Sequence, residues 1–133
     1  MKTVPYGLAL VLAAATPLGS QAAQPRDGLL SPQFSSCMDR AGGVTQNMID
    51  CSMAETQRQD ARLNKAYKAL MGSLSAERKK QLLEAQRAWL KFRDTNCGFY
   101  FDPDGGSMAR VSANDCVMSM TANRAKELED LAR

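Results

Sequence analysis

The chain has 133 residues, of which 17 are basic, 14 acidic and none histidine, giving a formal net charge of +3 at pH 7. The charges are interspersed, so the sequence lacks the basic stripe of a nucleic-acid-binding protein, and we expect no nucleic-acid partner. The lack of histidine removes the side chain that enzymes use most often for acid–base catalysis.

The first 22 residues have the layout of a secretory signal peptide. Lys2 supplies a positive charge, residues 6–15 form an apolar run, and small residues surround Ala22 and Ala23. The run is shorter than the ~20 residues that a membrane-spanning helix needs, and no cysteine stands at the cleavage site to carry a lipid. We predict cleavage after Ala22 or Ala23 and a periplasmic or secreted protein without a membrane anchor.

Four cysteines follow the predicted cleavage site: Cys37, Cys51, Cys97 and Cys116. An even number in a small exported domain predicts two disulfides. A metal site is disfavoured because no two cysteines have the C-x2-C spacing and no histidine is present. We favour Cys37–Cys51 with Cys97–Cys116, since short loops close at lower entropic cost. The pairing Cys51–Cys97 with Cys37–Cys116 remains open.

Residues 23–35 are predicted to form a flexible lead-in, because Pro25, Gly28 and Pro32 interrupt any periodicity. The remaining residues, 36–133, are enough for one domain with one hydrophobic core. Their apolar residues recur at helical spacing and no strand pattern appears, so we predict an all-α domain.

The first part of this domain contains a short helix and then a long one. Residues 36–41 can form one or two helical turns, which Gly42 and Gly43 end. Thr45 is a suitable N-cap for a helix that continues without proline or glycine to residue 71. One face of this helix is apolar at positions Leu63, Tyr67, Leu70 and Leu74.

A second long helix is predicted for residues 76–96. Gly72 can end the helix before it, Ser75 can cap its N-terminus, and Glu77 lies in its first turn, where the helix dipole favours an acid. Its apolar face consists of Leu82, Ala85, Trp89 and Phe92. Because the connection is short, the two helices should form an antiparallel hairpin.

The hairpin predicts which residues face each other. With the turn centred near residues 73–74, Cys51 lies across from Cys97, and Glu55 across from Arg93 as a partly buried ion pair. Arg93 and Arg124 stand on otherwise apolar faces, and we expect Glu55, Asp60 or Asp94 to satisfy them.

Residues 98–110 are predicted to be a loop, after which Ser112 and Asp115 form a capping box for a last helix to the C-terminus. Cys116, in the first turn of that helix, should lie at the same end of the bundle as the other cysteines. The expected architecture is a small helical bundle built on a long antiparallel hairpin plus a C-terminal helix, with two disulfides.

Several motifs of the chain form one pattern. They are Leu63-Asn64-x-x-Tyr67-x-x-Leu70, Ala85-Gln86-Arg87-Ala88-Trp89, Phe92-Arg93-Asp94 with Cys97, Gly105-Gly106-Ser107, Cys116, and Thr121-x-x-Arg124. The pattern resembles the lysozyme inhibitor LprI-like family over residues 37–131. The resemblance implies an exported, helical, cysteine-paired domain of the bacterial envelope. The chain differs from the family's namesake lipoprotein in lacking a lipid-bearing cysteine.

The sequence contains no recognisable set of catalytic residues. With all cysteines paired there is no thiol nucleophile, and no serine has a base in a recognisable motif. The acidic residues Asp102 and Asp104 do not fit a calcium loop, because Ser107 and Ala113 stand where that loop needs glycine and glutamate. We therefore predict a protein that is not an enzyme and that needs no metal or cofactor.

The best candidate for partner binding is the loop anchored between Cys97 and Cys116. Aromatic and arginine side chains on an anchored loop are typical of protein–protein contacts. Its candidate residues are Phe99, Tyr100, Phe101, Asp104, Gly105, Gly106, Ser107 and Arg110, whereas Glu55, Arg93 and Arg124 are assigned structural polar roles and Trp89, Tyr67 and Gln86 are assigned to the core.

The function expected from the resemblance is an envelope binding protein whose partner is a lysozyme or another cell-wall hydrolase. The alternative is a structural or accessory periplasmic factor, or an immunity-type protein that neutralises a toxin, without activity on lysozyme. A lysozyme inhibition assay distinguishes the first hypothesis from the others.

Overall fold

The computed structural model describes residues 29–133, so the predicted signal peptide lies outside the described residues. Four helices follow one another: α1 (Pro32–Ala41), α2 (Thr45–Ser73), α3 (Ala76–Phe99) and α4 (Gly106–Leu131). This part of the chain contains no strand, which confirms the all-α prediction. None of its helices is long and apolar enough to cross a membrane.

Helix α1 begins earlier than the sequence suggested. The hydroxyl of Ser31 accepts a hydrogen bond from the Phe34 amide, and Pro32 occupies the first turn, where its missing N–H costs nothing. The predicted lead-in is therefore wrong for residues 32–35, which are helical. The predicted end is confirmed, since Gly42 has a φ of 57°, a left-handed value that favours glycine.

The boundaries of α2 and α3 lie within a few residues of their predicted positions. Val44, and not Thr45, is the N-cap of α2, and the helix passes through Gly72 to Ser73. Ser75 caps α3 as predicted, because its hydroxyl accepts a hydrogen bond from the Arg78 amide. The connection between the two helices is thus short.

The predicted capping box of the last helix is wrong. Helix α4 begins at Gly106, six residues before Ser112, so both Ser112 and Asp115 lie inside the helix. The turn before it is closed by Asp102, whose carbonyl accepts a hydrogen bond from the Gly105 amide and whose side chain accepts one from the Asp104 amide. This turn, typical of aspartate, starts the helix early.

Contacts along the helices establish their directions. Helices α2 and α4 meet at Ser52–Asp115 near one end and at Arg62–Glu129 towards the other, so they run parallel. Helix α3 is antiparallel to α4, since Asn96 contacts Cys116 and Gln86 contacts Arg124. Helices α2 and α3 are consequently antiparallel, as predicted, but their backbones hardly approach each other.

The most extensive helix packing nevertheless joins α2 to α4, whereas α3 packs less closely, against α4. Small buried residues such as Ser52, Ala122 and Ala125 let α2 and α4 approach each other. The predicted Glu55–Arg93 ion pair is wrong, because Glu55 bonds to Ser31 and its own helix while Arg93 bonds to Asp94 and Thr121.

The core lies between α2 and α4. It is formed by Leu63, Ala66, Leu70, Ala125 and Leu128, with Tyr67, Leu74, Leu82 and Trp89 packed against it. The predicted apolar face of α2 is therefore confirmed. On α3 only part of the predicted face is correct, since Leu82 and Trp89 contact the core while Ala85 is exposed and Phe92 is 60% exposed.

The two disulfides are Cys37–Cys51 and Cys97–Cys116, which confirms the favoured pairing and rules out the crossed alternative. The first joins α1 to α2, and the second joins the C-terminal end of α3 to α4. Both lie at the end of the bundle where Ser52 meets Asp115, as predicted for Cys116. Each typically stabilises a small domain by ~2–4 kcal/mol.

Candidate functional site

The candidate partner-binding residues lie where the chain passes from α3 to α4. We call residues 99–110 the tip segment. Phe99 is the last residue of α3, Tyr100 is its C-cap, and the first turns of α4 begin at Gly106. The predicted thirteen-residue loop, 98–110, is thus wrong in its extent: only residues 100–105 connect the helices.

The aromatic side chains of the tip segment face solvent. Phe99 is 85% exposed, Phe101 55% and Tyr100 49%, and Met108 in the first turns of α4 is 56% exposed. The rings of Phe99 and Tyr100 meet edge to face with centroids 6.2 Å apart. Because isolated exposed apolar residues are common but a contiguous group of them is not, this group stays the candidate contact surface.

A disulfide fixes the base of the tip segment. Cys97 is 2% exposed, and its disulfide to Cys116 ties α3 to α4 directly below the aromatic residues. The Sδ of Met120 packs 3.6 Å from the Cys97 Sγ, and the Asn96 amide lies 3.5 Å from the same Met120 sulfur. The tip segment therefore projects from a rigid, buried base.

The two glycines of the tip segment have different structural roles. A Cβ on Gly105 would lie 2.8 Å from the Cβ of Ala109 and 3.1 Å from that of Asp102, so no side chain fits without movement. Gly106 has open space but a φ of 64°, which disfavours other residues. Both glycines thus shape the turn.

Helix α4 begins shortly after the aromatic residues of the tip segment. Its N-cap, Gly105, provides no side-chain hydrogen bond, and the first turn contains no acidic residue. The first-turn amides of a helix lack intrahelical partners and favour an anion. Ser107 and Arg110 are exposed in these first turns.

Among the depressions of the described surface, one of about 600 Å³ lies beside the Arg62–Glu129 pair, and two others lie near opposite ends of the bundle. Of these two, one of about 260 Å³ adjoins the tip segment and is lined by Asp94, Cys97, Gly98, Phe101, Asn114 and Val117. The other, of about 350 Å³, lies at the far end, and four of its nine lining residues are leucines: Leu70, Leu74, Leu82 and Leu131. Of the three, only the depression beside the tip segment contains a residue of the candidate loop.

Glu55 is fully buried and anchors the start of α1. Its carboxylate accepts hydrogen bonds from the amide and hydroxyl of Ser31 at 2.7 and 2.5 Å, from Arg58 Nε at 2.7 Å and from Gln59 Nε2 at 2.6 Å. Burial raises the pKa of Glu55, but the hydrogen bonds together outweigh it and hold the pKa below its ordinary value. Glu55 therefore remains ionised and structural.

Arg93 and Arg124 hold α3 against α4 around the single tryptophan. Their guanidinium carbons lie 5.3 and 5.9 Å from the ring of Trp89. Arg93 bonds to Asp94 and to the Thr121 hydroxyl, while Arg124 bonds to Glu127 and to the buried Gln86. Of the acids expected to satisfy these arginines, Asp94 does so, whereas Glu55 and Asp60 do not.

Sequence reasoning missed the contacts that join α2 to α4. Arg62 forms a bidentate pair with Glu129, both N–O distances being 2.6 Å, and also donates to the Leu29 carbonyl at 3.1 Å. The hydrogen bond from Arg62 is the main cause that lowers the pKa of Glu129. No local sequence pattern predicts a pair whose residues are 67 positions apart. The ion pair could be predicted only once α2 was known to pack against α4.

Within residues 29–133, no group of three or more cysteine or acidic side chains has the geometry to hold a metal ion. The acids of the tip segment, Asp102 and Asp104, are both exposed. What the site offers is therefore an exposed aromatic surface, two acidic groups and a helix N-terminus.

Comparisons with known proteins identify the family of the chain. The family model described as lysozyme inhibitor LprI matches residues 37–128, from the first cysteine to the buried Leu128. An uncharacterized protein of Rhizobium meliloti (strain 1021) is 26% identical over 145 residues, covering 98% of this chain and 96% of the relative. No solved structure is significantly similar to the chain.

Proposed function

Because the chain belongs to the lysozyme inhibitor LprI family, we propose that it is an exported envelope protein that binds a lysozyme or another cell-wall hydrolase by direct contact. The family is described as one of lysozyme inhibitors. We propose accordingly that this chain acts by occupying a partner's surface without chemistry of its own.

The observation that supports this proposal most strongly is the exposed aromatic group of the tip segment. Phe99, Tyr100 and Phe101 project from a base fixed by the Cys97–Cys116 disulfide. Aromatic residues held rigidly lose little entropy on binding and dominate the energetics of many interfaces. The depression beside Phe101 can accept a side chain of the partner.

The start of α4 supplies the polar part of the proposed contact. A lysozyme cleft contains two catalytic carboxyl groups. The uncapped first-turn amides around Ser107, together with the guanidinium of Arg110, are complementary to a carboxylate. We assign Ser107 and Arg110 to this role, while Gly105 and Gly106 hold the turn that presents them.

The net charge of the protein does not attract a basic partner, so any electrostatic attraction must come from acidic residues near the proposed contact. Cleavage after residue 22 would remove one basic residue, Lys2, and no acidic one, so the net charge of +3 would become +2. A basic hydrolase is not steered by such a protein as a whole. The charged residues of the connection between α3 and α4, Asp102 and Asp104, are both acidic and lie next to the aromatic group.

Export is part of the proposal. The layout of residues 1–22 is that of a cleaved secretory signal peptide. Four cysteines paired in two disulfides suit an oxidising compartment such as the periplasm.

The proposal is tested by measuring lysozyme inhibition by the mature protein at low and moderate salt. We expect Arg110→Ala, which removes the guanidinium, to weaken inhibition by about tenfold or more, the loss typical of one charged contact. The matched control is Arg78→Ala at the opposite end of the bundle, which should inhibit like the parent. Lack of inhibition by the parent would instead favour an accessory or toxin-neutralising factor.

A further inference from the structure

The pocket at the far end of the bundle, opposite the tip segment, has the size of a small-molecule site. Its volume is about 350 Å³, within the range of roughly 300–1,000 Å³ that is typical of ligand pockets. Leucines from all three long helices or their ends line it: Leu70 and Leu74 at the end of α2, Leu82 on α3 and Leu131 on α4. None of its lining residues belongs to the tip segment, so the proposed contact with a hydrolase does not use this pocket.

The lining of the pocket changes from apolar and buried to charged and exposed. Leu70 is 5% exposed, and Leu74 and Leu82 are half-buried. The charged side chains of Arg78 and Glu127, in contrast, belong to exposed residues. A ligand that matches this lining has an apolar part, which the leucines cover, and a polar or charged end at the rim.

The charged residues of the lining favour an anionic end. They are Arg78, Arg124 and Glu127, which together carry one net positive charge. Glu127 already accepts a hydrogen bond from Nη1 of Arg124 at 2.8 Å. Arg78 donates to the neutral Gln81 at 2.7 Å and forms no salt bridge within residues 29–133. The guanidinium of Arg78 is therefore the cation that a ligand can pair with.

Arg124 provides a second donor, in a fixed position. Its Nε donates to Gln86 at 3.0 Å, its guanidinium carbon lies 5.9 Å from the ring of Trp89, and its side chain is 10% exposed. Its Nη2 donates no hydrogen bond within the described residues, and it reaches solvent, because no buried side-chain nitrogen there lacks a partner. Arg124 thus keeps a donor that a ligand in the pocket can use.

We propose that this pocket binds a small amphiphile with a single alkyl chain and an anionic head, such as a medium-chain fatty acid. The chain lies against the leucines, and the carboxylate pairs with Arg78, since guanidinium–carboxylate hydrogen bonds are among the strong ones. The volume suits one alkyl chain and not the two chains of a phospholipid. The inference does not depend on lysozyme binding, because the pocket and the tip segment lie at opposite ends of the bundle.

The test is isothermal titration calorimetry of the mature protein with decanoate, below the concentration at which decanoate aggregates. We expect saturable binding. Octanoate should bind about tenfold more weakly, because each methylene that is buried contributes about fourfold. Decan-1-ol, which has the same chain without the charge, should bind more weakly than decanoate. Arg78→Ala should weaken decanoate binding by about fivefold, the upper value for an exposed ion pair, and should leave decan-1-ol binding unchanged.

The matched control is Arg87→Ala, which makes the same change of charge on α3. Arg87 is exposed and does not line the pocket, and nine positions from Arg78 it lies on the opposite side of the helix. The control should bind decanoate like the parent. The fluorescence of Trp89, the single tryptophan of the chain, should change on saturation, because Arg124 lies against its ring.

Four results would overturn the proposal. The first is the lack of saturable decanoate binding by the parent. The second is equal affinity for decanoate and decan-1-ol, which would show that the pocket does not select an anion. The third is an equal loss of binding in Arg78→Ala and Arg87→Ala, which would assign the effect to total charge. The fourth is saturation without any change in Trp89 fluorescence, which would place the ligand elsewhere on the protein.

Discussion

The α2–α4 pair and helix α3 differ in how many of their side chains are buried. In α2 and α4, even polar side chains are buried and hydrogen-bonded: Ser52, Glu55 and Thr121 are each 0% exposed. Of the 24 residues of helix α3, two are buried, Gln86 and Cys97. The parallel pair therefore holds the fold together, and α3 with the tip segment presents surface to the surroundings.

The difference implies that equal substitutions have unequal costs in the two regions. Leu128 in α4 is 0% exposed, so Leu128→Ala should lower the free energy of unfolding by about 2–5 kcal/mol. Leu90 in α3 is 37% exposed, and Leu90→Ala should cost under about 1 kcal/mol. Urea denaturation of both variants measures the contrast. Similar losses would show that α3 is as integral to the core as α4.

A smaller effect is expected from the buried carboxylate of α2. Glu55→Gln removes a charge that accepts four hydrogen bonds, and should cost about 1–3 kcal/mol at pH 7. Because the folded-state pKa of Glu55 lies below its ordinary value of 4.5, its stabilisation is present above that pH and is lost as pH falls through the folded pKa.

The pH dependence of unfolding checks this assignment. The difference in stability between the parent and Glu55→Gln should shrink as the pH falls below about 4.5. Glu84→Gln, at an exposed position of α3, is the matched control and should change stability little at any pH. A difference that grew towards low pH would refute the ionised, hydrogen-bonded state of Glu55.

The bidentate pair between α2 and α4 should contribute less to the free energy of unfolding than Glu55 does. Arg62 and Glu129 are 26% and 33% exposed in their side chains, so solvent screens their attraction. A double-mutant cycle with Arg62→Ala and Glu129→Ala should give a coupling of about 0.5–1 kcal/mol. A coupling near zero would mean that the pair does not join the two helices in solution.

The smallest effect on stability is expected at the tip segment. Phe99 is 85% exposed, and Phe99→Ser should change the free energy of unfolding by no more than about 0.5 kcal/mol. The same substitution should weaken binding of a hydrolase partner, whereas Phe92→Ser, at an exposed position of α3 outside the tip segment, should not. A large loss of stability in Phe99→Ser would assign this ring to folding and not to binding.

Much of the fold could be predicted because its signals are local. The Ser75 cap, the stop at Gly42 and the pairing of cysteines 14 and 19 positions apart all depend on residues close in sequence. The errors have a common cause. Ser31 binds Glu55 across 24 positions, and small residues, rather than the largest apolar ones, determine which helix packs most closely on α2.

The conformation of the candidate residues could not be predicted from the sequence, and their role in binding stays a prediction. The aromatic run and the glycine pair stood out from their surroundings, so the residues could be chosen from the sequence. Their conformation depends on a competition between two turn signals, and the Asp102 turn prevails over the Ser112–Asp115 capping box. Sequence patterns do not rank such alternatives, because each is locally favourable.

The most direct measurement is hydrogen exchange of the mature protein alone and in the presence of lysozyme. We expect slower exchange in the tip segment, residues 99–110, and unchanged exchange along the α2–α4 pair, whose amides are already protected by packing. Protection confined to other surfaces, or none at saturating lysozyme, would contradict the proposal that these aromatic residues are where the partner binds.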